Sequence, residues 1–518
     1  MPDRLRLAEL LGGLSIVADL GYSLPPGEAL RACVLGTKLA DACGLSDSEM
    51  SHTFYTALLR HIGCTGFAHE GYKAVGDDLQ GNAASQRTNF ADVKSIMSTM
   101  IPEATRGQAP LARARVAARM MAGGPKIGKT LETASCEVAR STARRIGLSG
   151  GVQQSLHEVM EWWNGKGNPD GLEGEDIARS ARVARVACEA VVFQRLGGSE
   201  MVVDELQKRS GSVLDPNIVD LCLDDQAGLF DDSPDADPRE QILEVEPRPV
   251  VEIGSDQLVG VAEAFADLID LKAPFMQGHS RGVATLARAA APAVGLDDAA
   301  TEDLYIAALL HDLGRAGVSN RVWEKPGPLT SIEWEEVRMH SYHSERILST
   351  SPTLEHLAPI AAMHHERLDG SGYHRGSHGR DLAMSARVLA CADAFYAMTE
   401  WRPYRDAMSS EQAAAELAQD ARAGRLDPDA ATAVIDAAGQ DHVHLQPDSW
   451  PAGLSDREVD VLRLSAEGCS NPEIGERLHI SRRTAEHHLQ HVYTKIGTSS
   501  RAAAALFALE HNLLTPDR

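Results

Sequence analysis

Two long stretches of this chain repeat one another, and the repeat limits the fold more than any other feature. The segment 57–66 aligns with 308–317 at an offset of 251 residues. Farther along, the segment 164–169 aligns with 369–374 at an offset of 205 residues. Self-similarity of this kind arises when one structural unit occurs more than once in a chain. We therefore expect two copies of one fold.

The composition predicts that this fold is helical. Hydrophobic residues make up 43% of the chain but aromatic residues only 5%, and alanine-rich runs such as 284–291 favour helix over strand. A chain of 518 residues allows about three or four domains. We expect an all-α protein.

The second copy carries a set of metal-binding residue types. His311 and Asp312 follow the apolar run of a predicted helix, which places a nitrogen and an oxygen donor at the end of a buried helix. Imidazole and carboxylate donors without thiolates suit iron, manganese or zinc. Because seven such residues exceed the needs of one tetrahedral ion, we expect two divalent ions, bridged by Asp312, that hold a hydroxide for attack on phosphorus. The seven are His279, His311, Asp312, His340, His364, His365 and Asp393.

In order and surrounding sequence these seven residues resemble the HD-GYP phosphohydrolases, a branch of the HD superfamily of all-helical, metal-dependent enzymes. Many members hydrolyse cyclic di-GMP. The resemblance spans residues 254–440. It implies that one ion is held by His279, His311, Asp312 and Asp393, and the other by Asp312, His340, His364 and His365.

The resemblance also implies roles around the ions. Asp312 and Arg315 would take part in catalysis, and Arg402 and Arg405 match positions that contact substrate phosphate in the family. Arg315 stands where the family has a lysine. The charge is kept, but a planar fork replaces a point charge, which changes how phosphate is held.

Two further departures from the family concern the metal count and a loop. Some members have a glutamate four residues before the first histidine and bind a third ion, whereas this chain has Phe275 there. We therefore expect two transition-metal ions, iron or manganese, with zinc also compatible. The sequence Gly372-Tyr373-His374 lacks the proline that stiffens this loop in the family.

The first copy, residues 1–230, lacks these ligands. Because the substitutes cannot hold two divalent ions, we expect a degenerate HD-like domain that serves in sensing, packing or dimerisation. The residues at the ligand positions are Glu28, Arg60, His61, Val159, Met160 and Cys188.

Two linkers are predicted from proline and charge. Residues 231–253 are acidic and interrupted by prolines, too charged to bury and too rich in proline to form a helix. Residues 441–453 are a second proline-containing linker.

The last segment, residues 454–518, predicts a helix-turn-helix. Ser455 and Glu458 form a capping-box pattern, Gly468 ends that helix, and Ser481 precedes a longer helix that would enter the major groove. The motifs Leu-Ser-x-Arg-Glu, Glu-Gly-x-Ser-Asn, Ile-Ser-x-x-Thr and Lys-Ile-Gly resemble the LuxR-type DNA-binding domain in order. The resemblance implies a four-helix domain in which Arg482, Arg483, Thr484, His487, His488 and Lys495 contact DNA.

Charge and cysteine usage limit the partners and the compartment. The formal net charge of −24 opposes broad affinity for nucleic acid or anionic membranes, so any contact with duplex DNA must be local. The eight cysteines contain no CxxC pair, as is typical of reduced thiols in a cytoplasm. The start of the chain lacks a signal-peptide pattern, and we find no apolar run long enough for a membrane span. Because a useful affinity for DNA would require two copies of the DNA-binding domain, we expect a homodimer.

These features predict a signalling protein that couples a dinuclear-metal phosphohydrolase, acting on cyclic di-GMP, to DNA-binding transcription regulation. One alternative is a transcription regulator whose metal-binding domain senses a nucleotide without turnover. Another is a phosphohydrolase of other phosphorylated nucleotides. The intact ligands favour catalysis, whereas Arg315 and His374 favour sensing.

Overall fold

The computed structural model describes residues 4–224, 229, 237–439, 450–511 and 513–514. These residues form an almost wholly helical protein, which confirms the predicted all-α class with tandem HD-type domains and a C-terminal helix-turn-helix domain. The chain divides into two compact units, Met1–Leu258 and Val259–Arg518. The finer domain boundaries remain predictions.

The first unit contains one antiparallel pair of short strands, Leu5–Arg6 and Glu252–Ile253, with Leu5 opposite Ile253. Its second-longest helix, Arg179–Arg209, is interrupted by non-helical backbone at Gly197 and Gly198. Its helices are Leu7–Gly21, Glu28–Ala42, Asp47–Leu59, Ala68–Val75, Asp78–Arg87, Val93–Ser95, Ile101–Ala104, Pro110–Arg145, Gly150–Glu158, Arg179–Arg209, Pro216–Asp224 and Pro238–Val245, with shorter turns at Ile62–Phe67, Ile96–Met100 and Gly174–Asp176.

The helix Ser255–Asp270 leads into the second unit. The metal-binding part of this unit contains the helices His279–Ala290, Asp298–Leu310, Asn320–Trp323, Ser331–Leu348, Ala358–Ala362, Met384–Thr399, Ser410–Arg422 and Pro428–Ala438. Its shorter 3-10 turns are Pro274–Met276, Ala291–Val294, Leu313–Gly317, Glu355–Leu357 and Gly379–Asp381.

Elements recur between the two units at the predicted offsets. The helix Asp47–Leu59 corresponds residue for residue to Asp298–Leu310 at the offset of 251, and the turn Gly174–Asp176 corresponds to Gly379–Asp381 at the offset of 205. The change of offset means that the first copy carries 46 additional residues between the matched segments. The repeat seen in the sequence is therefore a repeat of structure.

Buried polar contacts recur with the helices. Asp19 accepts hydrogen bonds from the backbone N–H groups of Gly27 and Ala29, at 2.8 and 3.0 Å. At the equivalent position Asp270 accepts from the backbone N–H and the hydroxyl of Ser280, at 2.9 and 2.7 Å. Each carboxylate satisfies donors at the start of a helix, where the backbone has no intrahelical partner. This contact fixes the beginning of the helix that carries His279.

One predicted linker contains a helix, so the prediction of no helix in this stretch is wrong for Pro238–Val245. Asp237 caps it, and the proline occupies a position where its missing N–H costs no hydrogen bond. Ile242 on this helix is 1% exposed and lies against Gly12 of the first helix, which stabilises it by apolar burial. Residues 231–236 and 441–449 of the predicted linkers lie outside the described residues.

The C-terminal part confirms the predicted helix starts. Ser455 and Glu458 form a capping box, and Ser481 accepts the backbone N–H of Thr484 at the start of the recognition helix, Arg482–Ile496. Buried Leu462, Ile474, Leu489 and Val492 belong to its own apolar core. The four helices are Asp456–Ala466, Asn471–Arg477, Arg482–Ile496 and Arg501–Glu510, preceded by a 3-10 turn at Pro451–Gly453. None of the helices in the described part of the chain combines the length and hydropathy that a bilayer span requires.

Candidate metal centre

The structure brings the seven predicted ligands into one buried cluster. His279 begins a helix, His311 and Asp312 follow the helix Asp298–Leu310, and His340 lies within Ser331–Leu348. The His364-His365 pair follows a short helix, and Asp393 lies within Met384–Thr399. All are buried except His365, which is partly buried. Residues more than 100 positions apart therefore meet because these five helices converge.

The first group of donors lies on one side of Asp312. His279 Nε2 is 3.8 Å from Asp312 Oδ2 and 3.2 Å from Asp393 Oδ1. His311 Nε2 is 3.4 Å from Asp312 Oδ2 and 3.9 Å from Asp393 Oδ1. Donors that each lie about 2.1 Å from a shared ion are separated by distances of this size.

The second group lies on the other side of the same carboxylate. Asp312 Oδ1 is 3.4 Å from His340 Nε2 and 3.7 Å from His364 Nε2, and these two nitrogens are 3.1 Å apart. With His365 they form a second set whose donor atoms all lie within 4.8 Å of one another. Asp312 thus presents one oxygen to each group, as a bridging carboxylate does.

Backbone contacts fix which nitrogen of three histidines faces the cluster. The Nδ1 atoms of His311, His340 and His364 lie 2.7, 2.5 and 2.6 Å from backbone carbonyl oxygens, to which they donate. The lone pair then resides on Nε2, which is the atom that faces Asp312. A second hydrogen bond of this kind orients the imidazole ligands of metal sites. His311 Nε2 is buried and has no hydrogen-bond partner among the described residues, which fits a missing metal bond.

Burial keeps three of the histidines neutral. It lowers the pKa of His340 to about 4 and that of His364 to about 3, despite the attraction of Asp312. The pKa of His365 is also lowered by burial. Burial opposes ionisation of Asp312 too, but Arg315 and the neighbouring histidines hold its pKa well below the usual range. Neutral imidazoles and a charged carboxylate are the forms that bind a divalent ion.

Arg315 lies inside the cluster. Its Nη1 donates to Asp312 Oδ2 at 2.8 Å and lies 3.2 Å from the sulfur of Met276. Its guanidinium group stacks 4.0 Å above the ring of Trp323. In this structure, the predicted catalytic cation is therefore paired with the predicted bridging ligand.

The two predicted phosphate-binding arginines differ in their surroundings. Arg402 donates from Nη2 to Glu400 Oε2 at 2.7 Å and is buried beside the metal cluster. Arg405 is half-buried, and both of its Nη atoms donate to backbone carbonyls near the end of the helix Met384–Thr399, at 3.0 and 2.7 Å. Arg402 is thus linked to the cluster through Glu400, whereas Arg405 satisfies carbonyls of a helix end.

Glu400 contacts the ligand cluster and was not predicted from the sequence. Its Oε2 lies 2.8 Å from His279 Nδ1, so it orients this imidazole from outside the ligand set. Burial alone would lower the pKa of His279, but the carboxylates of Glu400 and Asp393 raise it to about 10. Metal binding at His279 would therefore release a proton. No local sequence pattern marks Glu400, because its partner lies 121 residues away.

The loop that contains Gly372, Tyr373 and His374 is fastened by a buried carboxylate. Glu366 accepts backbone N–H groups of residues 375, 376 and 377, at 2.7, 3.1 and 2.9 Å. The ring of Tyr373 lies 4.7 Å from that of His365, while His374 pairs with Glu345 at 3.2 Å. Hydrogen bonds hold the loop where the family has a stiffening proline.

The equivalent region of the first copy holds arginines. Arg60, at the position of His311, lies 3.9 Å from Glu189, and Arg185 donates to the same carboxylate at 3.1 Å. Burial lowers the pKa of His61 well below its usual value and raises that of Cys64 to about 12, so this pair offers no thiolate. Among the described residues, both candidate metal groups lie in the second copy.

The counterpart of His340, which the sequence analysis left unassigned, is Ser135. A Cβ atom added to Gly314 would lie 2.0 Å from the His340 carbonyl oxygen, and one added to Gly63 would lie 2.0 Å from the Ser135 carbonyl oxygen. The two glycines are equivalent at the offset of 251, and the two partners at 205. Both copies therefore need a glycine at this close helix approach.

The predicted DNA-contacting residues lie on the recognition helix. Arg482, Arg483, Thr484 and His487 are exposed near its start, and His488 is partly buried. At the other end, Lys495 Nζ donates to Glu458 Oε2 at 2.7 Å and to the Gly453 carbonyl at 2.8 Å. Lys495 thus also ties this helix to the first helix of its domain.

Comparisons with known proteins agree with this arrangement. Residues 263–430 match the family described as HD domain, and residues 452–508 match the bacterial regulatory proteins of the luxR family. Over 447 residues the chain is 29% identical to the 3'3'-cGAMP-specific phosphodiesterase 3 of Vibrio cholerae serotype O1, covering 86% of this chain and 96% of that protein. The cyclic di-GMP phosphodiesterase of Thermotoga maritima is 40% identical over 141 residues, or 27% of this chain and 38% of that protein.

Among solved structures, the chain is similar to the crystal structure of a cyclic GMP-AMP specific phosphodiesterase of V. cholerae. The similarity has a TM-score of 0.57 at 27% identity and covers 86% of this chain and 99% of that one. The fold, the ligand cluster and the two family matches all support the same assignment of domains. The chain therefore combines an HD domain of the metal-dependent phosphohydrolases with a C-terminal LuxR-family helix-turn-helix domain.

Proposed function

We propose that residues 254–440 hydrolyse a phosphodiester bond of a 3',3'-cyclic dinucleotide. The observation that carries the proposal is the Asp312 carboxylate, whose two oxygens each face a separate group of imidazole nitrogens. The names of the relatives, which act on 3'3'-cGAMP or cyclic di-GMP, support this substrate class. When bound, two divalent ions, iron or manganese by the donor set, would act as Lewis acids and lower the pKa of water.

The side chains around the cluster have separable roles in this proposal. Asp312 and the six other ligands hold the ions, and Glu400 orients His279. Arg402 lies next to the ligand set and would hold a non-bridging phosphate oxygen as a charge-assisted partner. Such a contact requires Arg402 to exchange its bond to Glu400, or to use its remaining N–H groups.

Turnover by the purified full chain tests the proposal. The protein is prepared anaerobically with Mn²⁺ or Fe²⁺ and incubated with 3',3'-cGAMP, cyclic di-GMP and a linear dinucleotide. We expect one of the cyclic compounds to be converted to a linear dinucleotide with a terminal phosphate. Metal-loaded protein that hydrolyses none of the three would contradict the proposal.

A second candidate function is nucleotide sensing without turnover, and the Arg315–Asp312 contact favours it. The guanidinium group occupies the Asp312 oxygen that faces the first donor group, at 2.8 Å, and so competes with an ion there. Arg315→Lys separates the two functions. A gain of turnover with unchanged nucleotide binding would identify Arg315 as a brake on catalysis, whereas nucleotide binding with no turnover in either form would favour sensing.

For the C-terminal domain, we propose binding of duplex DNA as part of a homodimer in the cytoplasm. The support is the luxR-family match and the exposed cations Arg482 and Arg483 at the start of the recognition helix. A mobility-shift titration of the full chain at low salt tests it. We expect Arg483→Ala to cost about 1–3 kcal/mol at one base pair, and Lys495→Ala to flatten the salt dependence by about one unit. No shift by the full chain, with or without cyclic dinucleotide, would contradict DNA binding.

A further inference from the structure

The first copy contains a cleft that the metal chemistry does not use. The cleft has a volume of about 520 Å³ and lies between the helices Glu28–Ala42 and Arg179–Arg209. Pockets for small organic ligands have volumes of about 300–1,000 Å³. The cleft is therefore large enough for a ligand of nucleotide size.

A pair of substitutions explains why the cleft exists in this copy. In the second copy the Tyr396 ring fills the space beside Gly282, where an added Cβ would lie 1.9 Å from the ring. At the equivalent positions the first copy has Val191 and Arg31, both of which line the cleft. Because valine is much shorter than tyrosine, the space that tyrosine occupies in one copy is open in the other.

The charges in the cleft favour an anion. Arg195 donates to Glu28 at 2.9 Å and to Gln86 at 2.9 Å, so this cation is already paired. Arg31 and Lys38 also line the cleft, and neither forms an ion pair within the described ranges. Two cations that line one cleft are suited to a phosphate group.

The remaining lining is suited to a base. Val34, Leu35 and Val191 provide an apolar surface against which a flat ring packs. Gln194 also lines the cleft, and its buried Oε1 has no hydrogen-bond partner among the residues that the structure describes. A buried amide oxygen without a donor is unfavourable, so an N–H group of a ligand would satisfy it.

From these observations we propose that the first copy binds a purine nucleoside monophosphate in this cleft. Arg31 and Lys38 contact the phosphate, the apolar residues contact the base, and Gln194 accepts from a ring or amino N–H. The site goes beyond hydrolysis at the metal centre, and its occupancy does not depend on turnover. In this proposal the first copy lacks the metal ligands but binds a nucleotide in a cleft close to their positions.

Isothermal titration calorimetry tests the site without involving catalysis. The full chain carrying Asp312→Ala, in buffer with a chelator, is titrated with GMP and with AMP. We expect one of them to bind with one site per chain, and the matching nucleoside, which lacks phosphate, to bind at least about tenfold more weakly. Lys38→Glu should weaken nucleotide binding at least about tenfold, and Val191→Tyr should abolish it by filling the cleft.

The matched control is Arg113→Glu, which makes the same change of charge at an exposed position on the helix Pro110–Arg145. It should leave nucleotide binding unchanged, and a thermal melt identifies any variant that fails to fold. Three results would overturn the proposal: no binding of either nucleotide, binding that survives both Lys38→Glu and Val191→Tyr, or inorganic phosphate binding as tightly as the nucleotide. Because hydrolysis is not measured, a failure here leaves the proposed phosphodiesterase activity untouched.

Discussion

The two copies place different chemistry on the same pair of positions. In the second copy His279 lies 2.8 Å from Glu400, and at the equivalent positions of the first copy Glu28 lies 2.9 Å from Arg195. The distance is kept while the charges exchange places. Both copies thus hold a polar pair at these positions, and only the pair of the second copy includes a predicted metal ligand.

Among changes that distinguish the two copies, we expect Asp312→Ala to have the largest effect, on metal content and on turnover. It removes one oxygen from each donor group, so both ions and all measurable turnover should be lost. Plasma mass spectrometry measures the metal content, and product analysis measures hydrolysis. The matched control is His61→Ala at the equivalent position of the first copy, which should retain about two ions per chain. A loss of metal in His61→Ala would show that the first copy also binds ions.

The equivalent glycines give the next largest effect. Gly314→Ala and Gly63→Ala each introduce a Cβ atom that would lie 2.0 Å from a backbone oxygen. Each should lower the free energy of unfolding by about 1–3 kcal/mol, since the helices must move apart. Only Gly314→Ala should also reduce metal content, because the helix that packs against Gly314 carries His340. Gly260→Ala, where an added Cβ meets nothing within 4 Å, is the control in a denaturant titration.

Glu400→Gln changes the polar pair that His279 and Glu400 form in the second copy. It keeps the size of the side chain but weakens its hold on His279, and we expect about a 10–100-fold loss of metal affinity. Competition with a fluorescent chelator measures that affinity. Arg195→Ala changes the equivalent residue of the first copy and should leave the metal affinity as it is. Equal losses in both variants would mean that Glu400 acts on overall stability and not on its imidazole.

The smallest expected effect concerns two equivalent loops, one held by Glu366 in the second copy and one held by Glu161 in the first. Glu366 accepts three backbone N–H groups, while Glu161 at the equivalent position accepts N–H groups of residues 170 and 171, at 2.6 and 3.0 Å. Glu366→Gln and Glu161→Gln should each destabilise the chain by about 1 kcal/mol in a thermal or denaturant melt. Only Glu366→Gln should lower kcat, because its loop places Tyr373 beside His365. Reduced kcat in Glu161→Gln would contradict this division.

Much of the fold and the cluster could be predicted because burial leaves a periodic record in the sequence. The apolar run before His311 predicts a buried helix end, and capping residues such as Ser455 and Ser481 mark helix starts that the structure confirms. The ligands were predicted from their residue types and from the resemblance to the HD-GYP family, and the structure brings the predicted residues together.

The features that were missed depend on contacts distant in sequence. The counterpart of His340 is hidden because the offset changes by 46 residues just before it. Glu400 has no local pattern, and the helix Pro238–Val245 forms because Ile242 finds an apolar partner 230 residues earlier. Short-range propensity does not contain such information, because tertiary burial decides it.

The arginines of the first copy have a consequence for how the chain is made. Arg60 and Arg185 bring positive charge to the region where the second copy needs cations from solution, and Glu189 accompanies them as part of the same polypeptide. This half leaves the ribosome first, and domains fold in order of synthesis. Its positive charges are therefore balanced within the chain itself, whereas the proposed ions of the second half must come from solution.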